Sequence, residues 1–89
     1  MAEFLVETYA ARSDLTGPAK RGRRARVVAA QLRREGEPVR YVRSIFVPED
    51  ETCFYLFEAT SVDAVFEAAR RASLRVDRIT EAEPEAKGG

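Results

Sequence analysis

Several residue types are scarce in this chain of 89 residues or missing from it. It has no histidine and no tryptophan, and its only cysteine is Cys53. The absence of histidine excludes Ser–His and Cys–His catalytic dyads, histidine-ligated metals and a histidine pH switch. A single cysteine excludes an internal disulfide and a four-thiolate metal site within one chain. The sequence therefore predicts neither a metal centre nor a cofactor.

An excess of one charge sign and long apolar runs are also lacking. Fifteen basic residues balance fifteen acidic ones, so no net field draws the protein to nucleic acid or to an anionic membrane. No segment approaches the roughly 20 apolar residues that span a bilayer. The N-terminal Met-Ala-Glu-Phe lacks the basic region of a signal peptide. We therefore predict a cytoplasmic protein that binds neither nucleic acid nor membrane.

The composition is that of one folded domain. Hydrophobic residues make up 45% of the chain and charged residues 34%, a balance typical of globular proteins. We predict a single domain over residues 1–82. Residues 83–89 contain proline, glycine and charge with little to bury, which predicts a disordered tail.

Four segments rich in β-branched and aromatic residues predict strands: residues 3–9, 39–47, 52–59 and a short one at 76–82. Two helices lie between them. Small and aliphatic residues three and four apart predict the buried face of the first helix, Gly36 ends it, and Ser61 caps the second. The residues expected to be buried are Ala25, Val28, Ala29 and Leu32 on the first helix, and Val62, Val65, Phe66 and Ala69 on the second.

The resulting order is βαββαβ, which predicts a ferredoxin-like α+β fold. Its antiparallel sheet has the order 4-1-3-2, and both helices cover one face. Alternation along the strands assigns side chains to the two faces. We place Phe4, Val6, Val42, Phe46, Phe54, Leu56 and Ile79 under the helices, and Leu5, Glu7, Tyr9, Tyr41, Arg43, Ile45, Cys53, Tyr55, Phe57, Val76 and Arg78 on the other face.

The second set is too apolar for a solvated face, which predicts an interface or a ligand surface. A domain of this size is also marginally stable alone. We therefore predict a two-fold symmetric homodimer in which the sheets pack face to face, as in a dimeric α/β barrel. For Arg43 and Tyr55 to share a face, the hairpin loop must have an odd number of residues: three, 48–50, or five, 48–52.

Charged and hydroxyl side chains within that second set form the candidate ligand site. Buried charges need partners, and Glu7 and Arg78 lie on neighbouring strands where they can pair. Arg43 or Arg78 would hold an anionic or carbonyl group, with Glu7 as base or ligand. The alternative is a structural salt bridge at an interface rim. The predicted ligand-binding residues are Glu7, Tyr41, Arg43, Tyr55 and Arg78, with Glu7 the candidate catalytic residue.

Two other features have a functional and a simpler interpretation. Cys53 would be reactive if a cation such as Arg43 lay beside it, but a lone strand cysteine is more often a small buried hydrophobe. The first helix is strongly basic, which could bind anions or nucleic acid. With zero net charge, a solvated helix face is the favoured interpretation. The basic residues are Lys20, Arg21, Arg23, Arg24, Arg26, Arg33 and Arg34.

Three segments carry a family resemblance: Val-Arg-Tyr-Val-Arg-Ser-Ile-Phe-Val at 39–47, Thr-Cys-Phe-Tyr-Leu-Phe-Glu-Ala at 52–59, and Arg-Val-Asp-Arg-Ile-Thr-Glu-Ala at 75–82. They resemble a bacterial family of small proteins of unknown function, named nickel-binding or nickel-responsive after one branch. The resemblance implies a ferredoxin-like fold and a dimer. Many relatives have histidine where this chain has Arg43, and a guanidinium does not ligate nickel. An arginine there suggests an anion or a polar organic ligand instead.

Three functions remain open at this point. The first is a homodimeric binding or sensor protein with a small-molecule or ion site inside the dimer. The second is a small cofactor-free isomerase, cyclase or oxygenase that uses Glu7 and Arg43, by analogy of fold alone. The third is a structural dimeric module whose charged pairs only fix the register. We rank binding first, catalysis second and the purely structural role third, so we favour a protein without catalytic activity.

Overall fold

The computed structural model describes residues 1–83, so the predicted disordered tail lies outside the described residues except for Glu83. The chain forms seven elements in the predicted order. They are β1 (Ala2–Tyr9), α1 (Gly17–Arg34), β2 (Val39–Val47), a short 3-10 helix (Pro48–Asp50), β3 (Thr52–Ala59), α2 (Val62–Arg71) and β4 (Arg78–Ala82).

All strand pairs are antiparallel, and the sheet order is β2-β3-β1-β4. This is the predicted 4-1-3-2 order read from the other edge, so the ferredoxin-like fold is confirmed. The fourth strand begins at Arg78, two residues later than predicted, and Val76 packs against the core rather than lying on the opposite face. Within residues 1–83, neither helix has the length and apolar composition needed to cross a bilayer.

Local hydrogen bonds explain where the helices begin and end. The Asp14 carboxylate accepts a hydrogen bond from the Gly17 N–H at 2.9 Å, at the start of α1. Gly36 follows the end of that helix with φ +95°, the left-handed conformation that favours glycine. The Ser61 hydroxyl accepts from the Ala64 N–H at 3.3 Å and caps α2, as predicted.

The helices pack on one face of the sheet through small side chains. All four residues predicted for the buried face of α1 are buried. On α2 the prediction is wrong for Val62 and Phe66, which are 39% and 52% exposed. Ala64 and Ala68 face the core instead, because their small side chains let the helix lie close to the sheet.

The β2–β3 hairpin reverses the predicted face of β3. Its loop has four residues, 48–51, and ends at Glu51, whose φ is +49° and whose N–H donates to the Pro48 carbonyl at 3.0 Å. Because four is an even number, the predicted odd-numbered loop is wrong. The alternate residues of β3 therefore exchange faces. Cys53, Tyr55 and Phe57 are fully buried under the helices, while Phe54 and Leu56 lie on the opposite face.

A β-bulge in β2 changes which face of the sheet its residues occupy. The predicted faces are therefore right on one side of the bulge and wrong on the other. Tyr41 pairs with Phe57 and Arg43 pairs with Leu56, so Val42 is an extra residue between them. Tyr41 therefore lies under the helices, where it is 6% exposed, whereas Arg43 remains on the opposite face as predicted.

Candidate functional site

The sheet face opposite the two helices, here called the open face, carries an apolar patch. The patch consists of Leu5, Ile45, Phe54 and Leu56. Leu5 pairs with Leu56 across β1 and β3, and Ile45 pairs with Phe54 across β2 and β3. Ile45 is 36% exposed and the other three are partly buried, so their apolar surface meets solvent in the monomer. Contiguous apolar surface on the uncovered face of a sheet is common where proteins bind partners or ligands.

An ion pair borders the patch. Glu7 on β1 stands between Phe54 on one side and Arg78 on the other. An Arg78 guanidinium nitrogen donates to a Glu7 carboxylate oxygen at 3.1 Å, as the sequence suggested. The Arg78 side chain is 70% exposed and that of Glu7 is 29% exposed. Water therefore weakens the attraction in the monomer, and covering this face would strengthen it.

Arg43 lies on the opposite side of the patch, in register with Leu56 on β3 and, beyond it, Leu5 on β1. Its side chain is exposed, and among residues 1–83 it makes no hydrogen bond or ion pair. Two strand spacings, about 10 Å, separate the strands of Arg43 and Glu7. Arg43 is therefore an open-face cation that still needs a partner when water is excluded.

The two tyrosines predicted for this site are not on the open face. The Tyr55 ring is fully buried, and its hydroxyl accepts a hydrogen bond from the Arg21 Nε–H at 2.9 Å. Burial raises the pKa of Tyr55 to about 12, so the phenol remains neutral. Tyr41 packs edge-on against Phe57, with ring centroids 5.5 Å apart, and Arg26 lies 5.0 Å from the Tyr41 ring centre. The structure thus brings Glu7, Arg43 and Arg78 to one face without Tyr41 or Tyr55.

Cys53 is also on the helix side of the sheet, so its predicted position on the opposite face, beside Arg43, is wrong. Its side chain is fully buried. Burial raises the pKa of the thiol, which keeps it protonated and unreactive at neutral pH. The simpler interpretation, a small buried hydrophobe, fits this environment.

The side chains available on the open face do not suit nickel. Nickel binds imidazole and thiolate well, yet the chain has no histidine and its one thiol points into the core. Among the residues that the structure describes, no three His, Cys, Asp or Glu side chains are close enough to hold a metal ion together. Two carboxylates beside the patch are already paired with arginines, Glu7 with Arg78 and Glu58 with Arg40.

The chain is similar in fold to a solved structure and in sequence to a protein family. No curated protein matches the sequence. A crystal structure of SCO4226 from Streptomyces coelicolor A3(2) matches with a TM-score of 0.67 and 23% identity. The match covers 96% of this chain and 100% of that one, and at this identity it supports the fold alone.

The profile of a family described as "Nickel responsive protein SCO4226-like" matches residues 4–82, nearly the whole domain. This match agrees with the resemblance of strands β2, β3 and β4 noted in the sequence. The chain therefore belongs to the SCO4226-like nickel-responsive protein family.

Proposed function

We propose that the protein is a homodimeric binding protein whose two open faces pack together around a ligand site, and that the ligand is an anion or a polar organic molecule rather than nickel. The observation that carries the proposal is the partly exposed apolar patch with Arg43 on one side and the Glu7–Arg78 pair on the other. A cytoplasmic location, predicted from the sequence, is consistent with a lone reduced thiol.

The open face is suited to a second copy of itself. A two-fold axis through the patch brings apolar side chains onto apolar side chains. The same face carries charges of both signs, because Arg40 lies 3.6 Å from Glu58 and Arg78 lies 3.1 Å from Glu7. A surface with both signs near its rim can be complementary to its own copy.

Arg43 is the residue that favours a ligand over a purely structural dimer. If the sheets pack together, its guanidinium leaves water beside Leu56, and a buried charge without a partner is strongly destabilising. A carboxylate, a phosphate or a polar carbonyl group would supply the missing acceptor. A guanidinium also binds planar or tetrahedral oxyanions through two parallel hydrogen bonds.

Sedimentation of untagged protein tests the dimer. We expect wild type at twice the monomer mass, and Leu56→Lys as a monomer, because the substitution places an ammonium within the apolar patch. The matched control is Phe66→Lys, which makes the same charge change at an exposed apolar residue of α2 and should leave the dimer intact. A wild-type monomer, or equal effects of the two variants, would contradict the proposed interface.

Native mass spectrometry of the same preparation tests the ligand. We expect a dimer with added mass that Arg43→Ala loses, while Arg34→Ala, an exposed arginine on α1, keeps it. Calorimetric titration of untagged wild type with NiCl₂ should show no saturable heat. A dimer without added mass would favour the purely structural role, and stoichiometric nickel binding would contradict the choice of ligand.

A further inference from the structure

A cavity separate from the open face lies where the end of β1, the first turns of α1 and the connection from α2 to β4 meet. Its volume is about 340 Å³, which falls in the range of small-molecule sites. We call it the basic pocket, because four of its eight lining residues are cations and none is acidic. The cations are Lys20, Arg21, Arg24 and Arg75.

Two of these guanidinium groups are held in place by the protein. Arg21 Nε–H donates to the buried Tyr55 hydroxyl at 2.9 Å. Arg24 Nε–H donates to the carbonyl oxygen of Ala72, at the end of α2. Each of these bonds uses Nε. The terminal N–H groups of Arg24 remain available, whereas one terminal nitrogen of Arg21 also donates to Asp14 at 3.5 Å. The two arginines are three residues apart on α1, so they lie on the same side of the helix.

The basic pocket carries a local positive charge although the whole chain has no net charge. One carboxylate, that of Asp14, lies 3.5 Å from Arg21 and offsets a single positive charge. It also accepts the Gly17 N–H, so the start of α1 is already capped and the pocket depends on side chains. Lys20 and Arg75 are exposed and, among residues 1–83, their side chains make no hydrogen bond or ion pair. Three positive charges therefore remain uncompensated around one cavity.

We propose that the basic pocket binds the phosphate group of a small phosphate monoester. Such a group carries a charge of about −1.5 to −2 at neutral pH and three acceptor oxygens. The three uncompensated positive charges more than offset that charge, and the free terminal N–H groups of the cations can donate to the oxygens. The Ser73 hydroxyl also borders the cavity and adds a donor. The site is separate from the open face and does not depend on the dimer proposed above.

Heteronuclear NMR titration of the full chain tests this assignment, with AMP, inorganic phosphate and adenosine as probes. AMP should bind saturably and shift the Nε–H signals of Arg21 and Arg24 together with the amide signals around Ser73. Adenosine lacks the phosphate and should leave these signals unchanged. Stronger binding of AMP than of inorganic phosphate identifies a monoester as the ligand, whereas equal affinities would assign the site to free phosphate and overturn that part of the proposal.

Substitutions of the two exposed cations make the test specific. Lys20→Gln and Arg75→Gln should each weaken AMP binding at least roughly tenfold, which corresponds to about 1.4 kcal/mol. Arg34→Gln removes the same charge from the far end of α1 and should change the affinity less than about twofold. None of the three side chains has a hydrogen bond to lose within residues 1–83, so the folded spectrum should persist in each variant.

Three results would overturn the proposal. One is the absence of saturable AMP binding. Another is an equal loss of affinity in Arg34→Gln, which would indicate diffuse attraction to a basic helix. The third is a set of shifts centred on Arg43, which would assign the anion to the open face instead. That last outcome would support the dimer site and remove the basic pocket, so the two proposals can fail separately.

Discussion

Both helices end in the same hydrogen-bonded motif, but only one of them has glycine where the chain turns left-handed. After α1, Gly36 has φ +95° and the next residue's N–H donates to Leu32 O at 2.9 Å. After α2, Ser73 has φ +58° and the N–H of Leu74 donates to Ala69 O at 2.9 Å. Replacing Ser73 by glycine should therefore stabilise the domain.

The size of the effect follows from two opposing terms. A left-handed backbone costs a residue with a Cβ roughly 1–2 kcal/mol. Glycine at the same place loses more backbone entropy on folding, about 0.5–1 kcal/mol. Ser73 is exposed and its side chain makes no hydrogen bond among residues 1–83, so nothing else is lost. The free energy of unfolding should rise by about 0.5–1 kcal/mol, which raises the Tm by roughly 2–8 °C in a domain of this size.

Urea denaturation followed by far-UV circular dichroism measures this change. Wild type and variant are compared at one protein concentration, because dimerisation would make apparent stability depend on concentration. The reverse substitution, Gly36→Ser, is the matched control, and a Cβ there meets nothing within 4 Å. It should destabilise by about 1 kcal/mol through backbone strain alone. Unchanged or lower stability of Ser73→Gly, or shifts of equal sign in both variants, would refute the reasoning.

Three further predictions concern buried and paired groups. Cys53 should react slowly with a thiol reagent in the native protein and fully in denaturant, since it is buried and its pKa is raised; fast native reaction would contradict this. Tyr55→Phe should cost about 1–3 kcal/mol in urea denaturation, because Arg21 loses its acceptor, whereas Tyr9→Phe at an exposed ring should be nearly neutral. Two arginines lower the pKa of Glu67 from 4.5 to about 2. The stabilisation by the ionised Glu67 is therefore present above pH 4.5 and is lost as the pH falls through about 2. The stability difference between wild type and Glu67→Gln should shrink over that range, and a difference as large at about pH 2 as at neutral pH would be contrary evidence.

The element boundaries could be predicted because local chemistry determines them. β2 and β3 begin and end where the sequence placed them, since Pro48 ends one strand and the apolar run from Thr52 begins the other. Gly36 and Ser61 mark helix ends for the conformational and hydrogen-bonding reasons expected of them. The order of these elements then selects the ferredoxin-like topology.

The faces of β3 could not be predicted because both alternate sets of that strand are apolar. Cys53, Tyr55 and Phe57 could form a core, and so could Phe54 and Leu56. The number of residues in the hairpin loop decides which of the two sets faces the helices. One residue more or fewer in that loop reverses the assignment. A bulge at Val42 then changes the phase again within β2, and its position has no reliable sequence signal.

The basic pocket escaped the sequence for another reason. Lys20, Arg21 and Arg24 were part of a basic helix whose simplest interpretation was a solvated face. The turn after α2 brings Arg75 and the Ala72 carbonyl next to these three residues of α1. The pocket exists only because the two segments meet there. That contact joins residues 48 positions apart in the chain, and no local pattern reports it.

The bulge in β2 also governs how the chain avoids assembling wrongly. β2 and β4 are the two edges of the sheet, where unpaired backbone groups could recruit strands from other molecules. At one edge, the extra residue Val42 interrupts the ladder and Arg40 and Arg43 flank it. At the other edge, β4 has only five residues and carries Arg78 and Glu81. Both edges thus resist the sheet extension that leads to fibrils, which leaves the broad face of the sheet as the surface through which copies can meet without polymerising.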